Sequence, residues 1–170
     1  MRSQLSSALS FLLVMANLFM AWKFFSLISN TAYPAIVVLS ESMAPAFQRG
    51  DIIVLSNWVH RVEVGDIPVL WFEGHPLPMV HRIVVALHDE EGRQLLMTKG
   101  DNNDHTDVAL YPPGQTYVYR DQVIGFVRAY VPYMGWLSIM FSGFPWLKQV
   151  IIMGLLLILV LRSIRKGDRR

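Results

Sequence analysis

The segment Met79–Gly100, "MVHRIVVALHDEEGRQLLMTKG", decides the reading of the fold. Two apolar, β-branched runs flank Asp89-Glu90-Glu91-Gly92, a charged turn former. The stretch therefore reads as a β-hairpin turning around Glu91-Gly92. Working outward, five further runs have the same character: "AIVVLS" from Ala35, "DIIVLS" from Asp51, "IPVLWF" from Ile67, "QTYVYR" from Gln115 and "QVIGFVRAYV" from Gln122. Ala-Pro, Arg-Gly-Asp, Val-Gly-Asp, Glu-Gly-His-Pro and Pro-Pro-Gly stretches separate them. Such runs, without a convincing amphipathic helix, predict a mainly β domain, a sandwich or coiled sheet.

The two ends differ from this middle. "SQLSSALSFLLVMANLFMAW", Ser3 to Trp22, carries no charge, and after Lys23 the apolar character continues to Ser29. About 20 apolar residues match the hydrocarbon core of a bilayer. The stretch exceeds the roughly 7–15 residue core of a cleaved leader, so it reads as a membrane-spanning helix. Trp22 and Lys23 suit an interface anchor. At the other end, "VIIMGLLLILVL", Val150 to Leu161, is intensely apolar but short of a full span unless it extends back past Lys148 to Pro145. Three readings stay open for it: an interfacial helix, a span across thinned lipid, or a helix against partner helices. If it crosses, Arg162, Arg165, Lys166, Arg169 and Arg170 favour the cytosolic side. The division expected is 1–30 as a cytosolic stub and transmembrane helix, 31–143 as a β domain, and 144–170 as a short hydrophobic helix with a basic tail.

With 170 residues there is room for one domain of ordinary size. A net charge of +2, with no basic patch interleaved with aromatics, argues against nucleic acid as a partner. The chain has no cysteine, which excludes disulfides, thiolate catalysis and cysteine-ligated metal. No Gly-x-Ser-x-Gly elbow, Gly-rich phosphate loop or HExxH helix is present. Arg49-Gly50-Asp51 is explained by a turn opening the next strand, more simply than by adhesion. "DNNDHTD", Asp101 to Asp107, resembles a calcium loop in its alternating oxygens but lacks the bend glycine and the bidentate glutamate. No metal and no cofactor is expected.

Chemistry is suggested by "VVLSESMAPAFQRGD", Val37 to Asp51. A serine hydroxyl is a poor nucleophile until a base takes its proton, and the base must come from elsewhere in the chain. His60, His75 and His88 flank turns or charges and read as solvated loop histidines. His81 sits among apolar strand neighbours, where a packed core histidine is the plainer reading. His105 lies in the polar loop beside Asp101, Asp104 and Asp107. Ser40 and Ser42, if on one strand, share a face.

Three segments together resemble the catalytic subunits of the eukaryotic endoplasmic-reticulum signal peptidase, the Sec11 family within the type I signal peptidases. "VVLSESMAPAFQRGD" looks like the family's Ser-x-Ser-Met-x-Pro box with its Arg-Gly-Asp. "HRIV" from His81 stands where bacterial relatives carry lysine. "TKGDNNDHTD" is similar to the Gly-Asp-Asn box with a second aspartate six residues on. "VIGFVRAYVPYMGW" and the apolar C-terminus also resemble it. Glu41 departs from the glycine common between the two serines, and Ala44 from a charged or aromatic residue. The direction of the Glu41 side chain matters, because a charge aimed into the site would oppose an oxyanion.

The resemblance implies a signal-peptidase-like coiled β-sheet domain between an N-terminal transmembrane helix and a short hydrophobic C-terminal helix. It implies Ser42 as nucleophile, His81 as general base and Asp107 as the residue orienting it, with Asp101 supporting the geometry nearby. Ser40 and the Ser42 backbone N–H form the expected oxyanion hole. Imidazole, ordinarily titrating near 6.5, is a usable base at neutral pH, and a carboxylate on its second nitrogen stabilises the imidazolium. The expected enzyme is a serine endopeptidase of the signal peptidase I class in the endoplasmic-reticulum membrane. It is a single-pass type II protein with a lumenal catalytic domain, working on signal peptides of preproteins beside accessory subunits. The strand "AIVVL" is the expected edge for an extended substrate. The alternatives are a stand-alone archaeal-type signal peptidase and a non-catalytic membrane scaffold module.

Overall fold

The computed structural model describes residues 2–59, 61–144, 149, 150 and 152–154. His60, Pro145, Lys148, the larger part of Val150–Leu161 and the basic tail lie outside the described residues.

Helix α1 (Arg2–Ser29) is exposed along nearly its whole length. Leu5–Ser29 is long and apolar enough to cross a bilayer, and its most apolar stretch is not buried against protein. Side chains such as Leu9, Phe11, Leu18 and Phe19 are all more than half exposed, so this is not the core helix of a globule. The polar groups inside it are satisfied locally: Ser10 donates to the Ser6 carbonyl and Asn17 to the Leu13 carbonyl. Lys23 rests its ammonium 5.7 Å from the centre of the Phe19 ring. At its end the helix is fastened to the domain. Trp58 Nε1 donates to the Ile28 carbonyl at 2.6 Å, and the Asn57 N–H to the Ser29 carbonyl at 2.8 Å.

The middle is β structure. The strands are β1 (Ala35–Val37), β2 (Ile52–Ser56), β3 (Pro68–Leu70), β4 (Met79–Val80), β5 (Arg82–His88), β6 (Gln94–Lys99), β7 (Val118–Tyr119) and β8 (Val123–Val131). All pairings are antiparallel, in one sheet of order β1-β2-β8-β3-β4 and another of order β5-β6-β7. Each of the seven runs supplies a strand, and the hairpin turns where the sequence placed it, with the Gly92 N–H on the Asp89 carbonyl. "MVHRIVVAL" supplies two strands, divided at His81, because the chain leaves the first sheet there and enters the second. Irregular pairing at Val54/Leu55, Val69/Leu70 and Ile83/Val85 adds the twist that curls both sheets.

Alternation fills two cores. Val38, Met43, Phe47, Ile53, Leu55 and Val69 pack beneath the loop that follows β1. Leu70, Phe72, Ile83, Leu96, Tyr111, Val118 and Phe126 pack between the sheets with their neighbours. Burying a side chain of this size is worth about 1.5–3 kcal/mol, so the loops between these strands rest on a firm base.

Helix α2 (Trp136–Gly143) lies inside the region read as mainly β and was not anticipated from the sequence. Arg-Gly-Asp is what docks it. Asp51, 3% exposed, accepts from the Gln48 N–H through one oxygen and from the Tyr133 N–H through the other. The Gly50 carbonyl accepts from the Gly135 N–H at 2.8 Å. Gly50 has φ +96°, and a Cβ there would lie 2.3 Å from Trp136 Nε1.

Candidate active site

Strand β1 ends at Val37, and the chain then bends at Ser40 and turns through Ser42–Ala46. The two serines therefore are not on one strand face, as a simple extension of the apolar run suggests. The turn has its own bonds: the Ala44 N–H donates to the Glu41 carbonyl and the Phe47 N–H to the Met43 carbonyl. Met43 and Phe47 are buried beneath it, which anchors the loop and leaves Ser40 exposed and Ser42 half-buried. The hydroxyls meet all the same, with the two Oγ atoms 3.1 Å apart.

His81, at the junction of the sheets, is 6% exposed. Its Nε2 lies 2.9 Å from Ser42 Oγ and its Nδ1 2.6 Å from Asp107 Oδ2. Asp107 opens a 3₁₀ turn (Asp107–Leu110) and is 2% exposed. The hydrogen positions follow from chemistry. A carboxylate can only accept, so Nδ1–H donates to Asp107 and the Nε2 lone pair is left facing Ser42. Ser42 O–H then donates to Nε2, and Ser40 O–H donates to Ser42 Oγ. That is the arrangement by which an imidazole removes a serine proton as the oxygen attacks a carbonyl.

Asp101 sits elsewhere. It is held by Arg82 in a bidentate pair, Nε to Oδ1 at 2.8 Å and Nη2 to Oδ2 at 2.7 Å, while Arg82 Nη1 donates to the Gly65 carbonyl. Arg82 follows His81 directly, so this pair fixes the chain beside the imidazole without touching it. The loop after Asp101 reaches the Ser42 backbone, where the Asn102 N–H donates to the Ser42 carbonyl at 2.8 Å. Gly100 makes the approach possible, since a Cβ there would stand 2.7 Å from that same carbonyl oxygen. Gly100→Ala is accordingly expected to displace Ser42 and lower turnover by roughly 10²-fold. Turnover, beside the thermal midpoint of the variant, checks this.

The Glu41 side chain is exposed and does not line the cleft in front of Ser42, which answers the question its charge raised. His75 lines that cleft and meets the Phe72 ring edge-on at 5.8 Å, whereas His88 and His105 are exposed away from it. Among the described residues no cluster of His, Asp and Glu has the makings of a metal site.

Two residues missed in the sequence complete the site. Thr98 Oγ1 donates to Asp107 Oδ2 at 2.7 Å and lies 3.0 Å from the Tyr111 hydroxyl, which accepts from the Thr98 backbone N–H at 2.8 Å. Burial pushes the Tyr111 phenol above its ordinary value, against the downward pull of the Thr98 bonds, and the Asp107 charge adds to the rise. Tyr111 therefore keeps its proton. The signal was available in β6, where Leu96 and Thr98 alternate inward: a threonine on a buried face needs a partner.

The cleft has a volume of about 840 Å³ and is bordered by β1 with its extension to Ser40, by β4, by the His75–Pro78 loop and by Ser138 and Ser142 of α2. Strands β1 and β4 are the two outer strands of their sheet, so both present unpaired backbone edges.

No protein-family model matches the chain. Curated relatives do. The signal peptidase complex catalytic subunit SEC11 of Ajellomyces capsulatus is 45% identical, over 93% of this chain and 92% of that protein. The subunit of the same name is 43% identical in Talaromyces marneffei and 42% in Aspergillus oryzae, with the same coverage.

Proposed function

Because the chain belongs to the SEC11 family of signal peptidase complex catalytic subunits, we propose that it cleaves its substrates with Ser42, His81 and Asp107. As a member it is a peptidase subunit that removes signal peptides, and this sets aside both a stand-alone archaeal-type enzyme and a scaffold. The observation carrying the catalytic assignment is the continuous path from Ser42 Oγ through the His81 ring to Asp107, with links of 2.9 and 2.6 Å.

The sequence of events follows from that path. Ser42 Oγ attacks the scissile carbonyl carbon while its proton passes to His81 Nε2. The Ser40 hydroxyl, released from Ser42 Oγ, turns its proton to the developing oxyanion together with the Ser42 N–H; a donor of this kind is worth roughly 3–4 kcal/mol. The imidazolium, paired with Asp107, gives its proton to the leaving amine as the C–N bond breaks. Water, deprotonated by His81, then attacks the Ser42 ester, and the imidazolium returns that proton to Ser42 Oγ as the C–O bond breaks and the signal peptide's carboxylate leaves. Asp101 acts through Arg82 in keeping the backbone beside His81 in place.

The substrate is the cleavage segment of a secretory or membrane preprotein, extended between the open edges of β1 and β4. The protein is single-pass and type II in the endoplasmic-reticulum membrane, with α1 crossing and the β domain lumenal. Tethering raises the effective concentration of the site at the bilayer surface, where signal peptides emerge. Accessory subunits hold it there.

The test is the covalent intermediate. Reconstituted complex, mixed with preprotein and quenched in acid, is expected to carry the signal peptide as an ester on Ser42, read by mass spectrometry of the digested chain. An acyl group on another residue, or its absence under conditions where ester hydrolysis is limiting, overturns the assignment.

A further inference from the structure

Three side chains from different parts of the chain end in a polar pocket that substrate does not reach. Thr98 is wholly buried, Asp107 is 2% and Tyr111 6% exposed, and none of the three lines the cleft. Each donor direction is forced. Asp107 supplies no proton, so the Thr98 hydroxyl gives it its single one, to the same oxygen that receives His81 Nδ1–H. Thr98 Oγ1 then has only lone pairs for Tyr111, so the tyrosine O–H donates to it. The tyrosine oxygen is satisfied in turn by the Thr98 backbone N–H.

A valine has the shape of threonine and fills an apolar core at no desolvation cost. The hydroxyl at 98 therefore has its use in the bond to Asp107. Two donors converging on Oδ2 from different sides fix the carboxylate's rotation; both bonds are lost if it turns and weakened if it takes up a proton. We propose that Thr98 and Tyr111 are positioning residues of the peptidase, holding Asp107 charged and aimed at His81 and so fixing the pH below which the base fails. The proposal rests on the Ser42–His81–Asp107 assignment.

The sign of the effect is the same by two routes. Without the Thr98 donor the carboxylate charge is less dispersed and holds the imidazolium more strongly. Its own protonation also becomes easier. Both move the acid limb of the rate profile to higher pH. Other ionisable groups on the flanking elements are Arg82 and Asp101, bonded to each other, His88 at the far end of β5, Lys99 on the opposite face of β6, Asp104 and His105 in the loop before the 3₁₀ turn, and His75, which lines the cleft beside His81. They are common to every variant, so a difference between variants does not come from them.

The experiment is kcat and KM against pH for preprotein cleavage by the reconstituted complex. Thr98→Val is expected to lower kcat about tenfold with little change in KM. Its acid limb moves up by roughly half a pH unit, and Thr98→Ser restores both. Tyr111→Phe gives a smaller shift of the same sign, and adds none to Thr98→Val because it acts through that hydroxyl. A Thr98→Val profile that superimposes on wild type after scaling, or a full Tyr111→Phe shift in the Thr98→Val background, overturns the proposal. Where Thr98→Val fails to assemble, Tyr111→Phe decides: an unmoved acid limb overturns it. Ser42→Ala is run alongside. If that variant still cleaves, the catalytic assignment itself has failed; if it is dead and the limbs are unmoved, only the positioning role has.

Discussion

Ser42→Ala and His81→Ala are each expected to lower kcat for preprotein cleavage by about 10⁴- to 10⁶-fold, and the double variant by no more than the worse single change. The reason lies in the 2.9 Å bond between them. A base without its nucleophile has no proton to take, and a serine without its base is an ordinary alcohol, so the second loss removes nothing further. What survives is binding and the oxyanion donors. Ser40→Ala provides the contrast. Its hydroxyl is a donor to Ser42 rather than a member of the proton path, so turnover should fall by roughly 10²- to 10³-fold and not to background. Ser42 is half-buried and its hydroxyl holds no part of the core, so alanine there should leave thermal stability and complex assembly unchanged. Single-turnover rates for the four variants, with melting curves, measure all of this. Additive losses in the Ser42/His81 pair would show that the two residues act separately, and the proton path would have to be abandoned.

The strands were legible because their cause is local. β-branched runs between turn formers have few alternatives, and the register of β5 and β6 is fixed by the tight turn joining them. Helix α1 was legible by length and apolarity. Helix α2 was not: eight residues rich in apolar side chains carry no clear helical period, and what places it is contact with Gly50 and Asp51, remote in sequence. The pairing of Ser42 with His81 and Asp107 could be expected only through resemblance, since 39 and 26 residues separate the bonded partners and no local rule spans such gaps. The Ser40–Ser42 relation was expected from the pleat of a strand, yet arises in a bend and turn, a choice made by Met43 and Phe47 finding the core beneath. Thr98 and Tyr111 escaped notice because each looks like an ordinary strand or loop residue until the buried carboxylate that Thr98 bonds is seen.

Two of the three aspartates of "GDNNDHTD", Asp101 and Asp107, separate most sharply under substitution by asparagine. Asp107→Asn is expected to reduce kcat by about 10⁴-fold while the protein stays folded. Asparagine keeps the shape but brings an N–H₂ to a buried place where both neighbours, His81 Nδ1–H and Thr98 O–H, are donors to one oxygen. With its carbonyl in the place of Oδ2 it keeps both bonds but has no charge to hold the imidazolium; with its amide nitrogen there it presents a hydrogen to Nδ1, which holds the imidazole in the tautomer with the proton on Nε2. That proton then faces Ser42, and the base is blocked. Asp101→Asn meets a different setting. Its partner Arg82 has a side chain one-third exposed, and water can replace part of what the carboxylate gave. Asparagine can still accept one guanidinium bond, so activity should fall by no more than about tenfold. Burial thus ranks the pair: the carboxylate that solvent cannot replace is the one aimed at the imidazole. Should Asp101→Asn cripple the complex and Asp107→Asn be mild, the orienting role belongs to Asp101, reached through a rearranged loop, and the path from Ser42 to Asp107 is a resting geometry that catalysis does not use.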